Sequence, residues 1–116
     1  FFSRYKKTKS GTIYVILRYD DIKEYGYSSV EVANMINVVG NIENCPIWAS
    51  FVEAGDGRVK VELRSNNPSV QPLTVKYGGG GHRKAAGMTL PTFDEKQIYH
   101  IIDELDDIIV NYNGGK

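Results

Sequence analysis

The chain has almost no cysteine, no surplus charge of either sign and no long apolar run, and each lack removes a class of protein. Cys45 is the single cysteine. With no second thiol and no Cys/His ligand set beside it, neither a disulfide framework nor a structural zinc is indicated. Lysine plus arginine number 14, as do aspartate plus glutamate. The broad positive field of a protein that coats long nucleic acid is therefore missing, and any such contact should be local. No apolar stretch approaches the roughly 20 residues a membrane helix needs. Residues 1–7 lack the basic start and apolar core of a signal peptide, so a cytoplasmic setting is expected. No initiator methionine opens the chain, which is expected to be a piece of a longer one, and no internal repeat is found.

What is present suits one folded unit. At 116 residues, with 41% hydrophobic and 24% charged content, the chain can bury a single core without staples and leaves no room for a second domain. Ile13 to Leu17 is almost wholly apolar and β-branched, which predicts a buried strand reaching about Tyr19. Ser28-Ser29-Val30-Glu31 is a capping pattern, and Val32, Met35, Ile36 and Val39 follow at helical spacing before Gly40. Residues 47–54 read as a strand and Gly55-Asp56-Gly57 as a tight turn. Val59, Val61 and Leu63 then alternate with Lys60, Glu62 and Arg64 to complete a hairpin. Asn66-Asn67-Pro68 breaks that strand. Residues 70–77 suggest a short helix, weakened by Pro72 and the β-branched Thr74 and Val75. Residues 87–90 suggest a short final strand. After Thr92-Phe93-Asp94-Glu95, Ile98, Ile101, Ile102, Leu105, Ile108 and Ile109 share one face of a last helix that ends at Asn113-Gly114-Gly115.

The expected fold is α/β (α+β), with a mixed sheet of about four to five strands and helices packed on it. Residues 1–12 read as a linker or the remnant of a preceding segment, 13–113 as the domain, and 114–116 as a tail. Trp48, Phe51 and Met35 are expected in the core. Tyr19, Tyr25 and Tyr27 leave an exposed aromatic patch open as an alternative, and His100 receives no role.

The chemistry concentrates in Gly78-Gly79-Gly80-Gly81-His82-Arg83-Lys84. Glycines let a ligand approach the backbone and let successive N–H groups converge on an anion, and the cations that follow supply charge. A flexible linker is the alternative, but this run lies between two core-like segments and carries no serine or threonine. Neither a Walker loop nor a dinucleotide fingerprint matches, since no Gly-Lys-Ser/Thr follows and Arg83 stands where glycine would be needed. A short helix starting near His82 would add its free N–H groups, with Ala85 and Ala86 packing closely. His82 reads as a phosphate or base contact more than as a general acid. Arg64-Ser65 closes the preceding strand with Arg64 on its polar side, where an arginine fork suits two phosphate oxygens and the serine hydroxyl could add a bond. A solvent-exposed arginine ending an edge strand is the alternative, and spacing does not separate the two.

Together, Arg64-Ser65, the glycines with His82, and Ala85-Ala86-Gly87 resemble the C-terminal DHH-associated domain of the DHH phosphoesterases. The order of strand, helix, hairpin, glycine loop and final helix is similar over most of the chain. The resemblance implies a two-lobed hydrolase whose other lobe holds two divalent metals, typically manganese, through Asp and His. No Asp-His-His triplet occurs here, so the resemblance implies no catalytic residue and no metal in this piece, and no hydrolysis by it alone. By the same resemblance, Gly79, Gly80, Gly81 and His82 would hold a nucleotide or its phosphate, and Arg64 and Ser65 would anchor a second part of it. Gly78, Arg83 and Lys84 are candidates for additional contacts, the direction of the last two being left open by the sequence. The branch that degrades very short RNA oligomers and dephosphorylates 3′-phosphoadenosine 5′-phosphate suits a neutral domain with a local anion site. Cyclic-di-AMP phosphodiesterases, single-strand DNA exonucleases and noncatalytic nucleotide- or RNA-binding modules are the alternatives. The expected partners are a nucleotide or short single-stranded RNA or DNA and the DHH lobe in cis. A homodimer is allowed, and no membrane contact is expected.

Overall fold

The β-branched and aromatic stretches do become strands, because their side chains fill a pleated surface that is buried on one side. In the computed structural model, which describes residues 5–25 and 46–114, the chain runs β1 (Lys6–Lys7), β2 (Thr12–Leu17), α1 (Tyr19–Tyr25), β3 (Ile47–Glu53), β4 (Val59–Ser65), α2 (Gln71–Lys76), β5 (Gly80–His82), β6 (Ala85–Leu90) and α3 (Glu95–Gly114). These strands form a six-stranded sheet in the order β1-β2-β3-β4-β6-β5. β2 and β3 pair in parallel and the other neighbours pair antiparallel, so the sheet is mixed and the fold is α+β. The helix expected over 28–40, with Met35, Tyr27 and Cys45, lies outside the described residues.

Two edge strands bring the sheet to six, just above the expected four to five. β1 comes from the polar lead-in and β5 from the glycine run itself. α1 was also not foreseen. It is short and is anchored at its start: Arg18 donates from Nε to Glu53 Oε1 at 3.1 Å, and the Tyr19 N–H donates to the same oxygen at 2.9 Å. The Arg18 hydrogen bond, followed by that of the Tyr19 amide, holds the Glu53 carboxyl below its usual range. The guanidinium also lies 3.8 Å from the centre of the Phe93 ring, a favourable cation–π distance.

Strand alternation divides the sheet into two faces. On one, Ile47, Ala49 and Phe51 of β3 stand beside Val59, Val61 and Leu63 of β4 and Ala86, Met88 and Leu90 of β6, all buried. α3 covers this face with Ile98, Ile101, Ile102, Leu105 and Ile109, the stripe its 3.6-residue period predicts. Each fully buried Phe, Leu, Ile or Val contributes about 1.5–3 kcal/mol relative to exposure. Polar ties fix the helix in place. Asp106 accepts hydrogen bonds from the Thr8 and Thr12 hydroxyls, both at 2.6 Å, and Glu104 accepts from Lys76 and Tyr77 of the α2 region.

The second face is uneven. Its β2–β3 half carries Val15, Leu17, Trp48 and Ser50, all buried. Its β4–β6–β5 half carries Lys60, Glu62, Arg64, Ala85, Gly87, Gly80 and His82, half-buried or exposed. That half holds the residues the sequence singles out.

Candidate functional site

The glycine run is neither a linker nor a set of converging amides. Tyr77 ends α2, and Gly78 follows at φ +84°, a left-handed conformation that favours glycine. The Gly78 N–H donates to the Val75 carbonyl at 3.0 Å and the Gly79 N–H to the Thr74 carbonyl at 2.7 Å, which is the hydrogen-bond pair of a Schellman helix stop. Those two amides are thus committed to the helix end, so the expectation of a cradle made by the whole run is corrected. A side chain at Gly79 would stand 2.2 Å from the Gly87 carbonyl oxygen, and Gly81 is likewise pressed against Ala85 and Ala86. Gly80 is different. A Cβ there would meet nothing within 4 Å, and its φ is not left-handed, so the fold leaves open space in front of that residue alone in the run's strand.

The expected helix near His82 is also corrected. His82 ends β5, Arg83 and Lys84 make a two-residue turn, and β6 starts at Ala85. The backbone is drawn into sheet pairing with β6, which supplies partners that a single helical turn would lack. The turn is tied down by its carbonyls. The Ser65 N–H donates to the Lys84 carbonyl and the Val70 N–H to the Arg83 carbonyl, both at 2.8 Å, and Gln71 Nε2 donates to the Gly81 carbonyl at 2.9 Å.

Register brings the two distant motifs together. His82 pairs with Ala85, and Ala85 pairs with Arg64, so the three side chains form one row on one face. His82 and Arg64 are two strand spacings apart, roughly 9.5 Å, with the Ala85 methyl as a low floor between them. The adjacent row on the same face is Gly80, Gly87 and Glu62. The result is a shallow groove floored by Gly80, Gly87 and Ala85, with His82 on one wall and Arg64 and Glu62 on the other.

Charge in the groove is predominantly positive. Arg64 Nη1 lies 3.4 Å from Glu62 Oε2, and Lys60 Nζ lies 3.8 Å from Glu62 Oε1. Arg64 also donates to the Leu63 carbonyl at 2.9 Å. His82, Arg83 and Lys84 are exposed, and among the described residues their side chains pair with no acid. A neutral chain therefore presents a locally cationic groove. Ser65 lies elsewhere: it is buried on the opposite face, and its hydroxyl finds no partner among the described residues. Its contribution here is the amide that holds the Lys84 carbonyl. Sequence reading passed over Glu62 and Ala85 as site residues, although the strand period places Glu62 beside Arg64 on the polar side. Among the described residues no group of three or more His, Cys, Asp or Glu could hold a metal ion. No helix of the described residues is long and apolar enough to cross a membrane.

Comparison with known proteins places the chain in a family. The family model described as the DHHA1 domain matches residues 3–111. The chain is 34% identical over 107 residues to the bifunctional oligoribonuclease and PAP phosphatase NrnA of Mycoplasma genitalium, covering 92% of this chain and 32% of that protein. It is 31% identical over 94 residues to the NrnA of Bacillus subtilis, covering 81% of this chain and 30% of that protein. The chain thus spans about a third of the length of the curated relatives it matches. The fold superposes with TM-score 0.75 on an exopolyphosphatase-related protein from Bacteroides fragilis at 19% identity, covering 96% of this chain and 32% of that one.

Proposed function

The chain belongs to the DHHA1 domain family, and from that premise we propose that it is the substrate-holding lobe of a metal-dependent phosphoesterase acting on short RNA oligomers and on 3′-phosphoadenosine 5′-phosphate. The observation that carries this reading is the row His82–Ala85–Arg64 beside the unobstructed Gly80. Arg64 offers a fork of charged N–H donors to two phosphate oxygens. His82, on the far wall, donates to the same group or stacks against a sugar or base. Gly80 lets the ligand lie against the backbone, and Arg83 and Lys84 add long-range attraction at the end of the groove.

A DHH lobe in cis would hold the divalent pair, with manganese the expected ion, whose chemistry when bound is to polarise the phosphate and activate water. The work of Arg64, His82 and Gly80 is to bind and orient, which lowers the barrier by fixing the phosphate where the other lobe acts. On this reading the chain alone hydrolyses nothing, and the parent protein works in the cytoplasm. The test is an amide NMR titration of the chain with 3′-phosphoadenosine 5′-phosphate and, separately, a short RNA. Saturable shifts at Gly80, His82, Ala85 and Arg64, with none along α3, are the expected result. An unchanged spectrum at millimolar ligand refutes binding by the isolated lobe.

A further inference from the structure

Among the described residues of the groove, Glu62 is the charged side chain that neither holds nor attracts the phosphate. It stands directly opposite Gly87, which stands opposite Gly80. Its Oε2 lies 3.0 Å from the place a Cβ on residue 87 would occupy, so the carboxylate rests on the bare floor strip. It is flanked by cations on both sides, Arg64 at 3.4 Å and Lys60 at 3.8 Å, and its side chain is 29% exposed. Sharing Arg64 with a carboxylate halfway out of solvent has two effects. The guanidinium is oriented along the strand, and a fixed negative charge is held over the adjacent Glu62–Gly87–Gly80 row, whose backbone lies roughly 7 Å along the strands from that of the His82–Ala85–Arg64 row.

That negative charge treats neighbouring ligand groups oppositely. A sugar hydroxyl or a base amine beside the bound phosphate donates a hydrogen bond to a carboxylate. A second or third phosphate in the same place is another anion, and like charges brought together inside a partly dehydrated groove are strongly penalised. The selectivity therefore arises from a repulsive element as much as from an attractive one.

We propose that Glu62 is a specificity residue that admits a single phosphate flanked by neutral hydrogen-bond donors, as at the end of a nucleotide, and rejects a polyphosphate chain. This rests on the groove being the phosphate site. The test is calorimetric titration of the 116-residue chain, wild type, Glu62→Gln and Arg64→Ala, with adenosine 5′-monophosphate and with inorganic tripolyphosphate at one fixed ionic strength. Wild type is expected to bind the nucleotide at least as tightly as tripolyphosphate despite the latter's greater charge. Glu62→Gln is expected to tighten tripolyphosphate about tenfold and the nucleotide by about twofold or less. Equal tightening of both, no change in either, or a wild type that prefers tripolyphosphate severalfold overturns the role of Glu62, and leaves the groove standing if Arg64→Ala weakens the nucleotide. Binding of neither probe by wild type, or indifference of both to Arg64→Ala, brings down the groove and this inference together.

Discussion

β4 and β6 present two faces built from the same two strands, and the faces obey different rules. Inward, Val59, Val61 and Leu63 meet Ala86, Met88 and Leu90, none more than 4% exposed. Outward, Lys60, Glu62 and Arg64 meet Thr89, Gly87 and Ala85. Close packing dictates the inner set, because any void or overlap there costs stability directly. The outer set is less constrained, the tight approach of Glu62 to Gly87 apart, yet it is sorted: long charged side chains on β4, small ones on the facing end of β6. A sheet face that need not be buried has been given the relief of a groove. The contrast teaches that size asymmetry across a strand pair, rather than charge alone, shapes the proposed binding face.

The strongest way to break this contrast is to damage the inner face. Phe51→Ala should cost about 3–5 kcal/mol in urea denaturation. Nucleotide affinity of the fraction that remains folded should be unchanged, and a loss confined to binding would show that the faces are not separable. Arg64→Ala works from the other side. In the complete protein it should reduce kcat/KM by the equivalent of about 1.5–3 kcal/mol, the scale of hydrogen bonds to charged groups, while unfolding shifts little. An unaltered kcat/KM would remove Arg64 from the substrate site.

A smaller effect concerns the joint between α2 and α3. Burial pushes the Glu104 carboxyl up, but hydrogen bonds from Lys76 and Tyr77 together hold it below its ordinary value of 4.5. Burial, then the bond to Glu104, pushes the Tyr77 phenol up to about 12. Glu104 thus stabilises fully above its unfolded value and loses that contribution as pH falls through its folded one. Tyr77 stabilises below its unfolded value of 10.0 and loses its contribution as pH rises towards about 12. Tyr77→Phe should cost about 0.5–1.5 kcal/mol at neutral pH and remove part of the alkaline slope of a melting-temperature profile. The rest belongs to Tyr5, whose phenol is likewise pushed up to about 12 by burial, and to Tyr14, raised as well. A slope left unchanged would take Tyr77 out of the alkaline titration. Gly80→Ala should be the mildest for the fold, within about 0.5 kcal/mol, because space is open there. Its effect should appear in ligand affinity, and a purely structural glycine would give the reverse pattern.

Much of this fold was legible from period alone. β2, β3, β4 and α3 follow directly from runs of β-branched residues, period-two alternation and the isoleucine stripe. The short helix around Pro72 forms despite its weak propensity, since proline sits in the first turn, where no N–H is needed. The elements missed are those made by their neighbours. β1 is two lysines that pair because β2 offers an edge, and β5 is glycine-rich backbone, poor in intrinsic strand preference, recruited by β6. Arg83-Lys84 lacks the glycine or asparagine that announces a tight hairpin, so the turn was hidden in a basic run. Arg64, Gly80 and His82, which share the proposed groove, were each singled out by the sequence. Their common face was not, because it depends on the unforeseen β5–β6 register. The Tyr19 ring, 43% exposed, lies against Gly55, so any aromatic patch there is partly occupied in packing.

Among the described residues, Arg83 and Lys84 serve the architecture through their carbonyl oxygens, which hold the end of β4 and the entry to α2. Main-chain atoms are common to every amino acid, and among the described residues neither side chain makes a hydrogen bond or ion pair. The hairpin turn is therefore a dial. Exchanging its two cations for glutamine or glutamate would retune the field at the mouth of the groove in unit steps, with the backbone that carries His82 left in place.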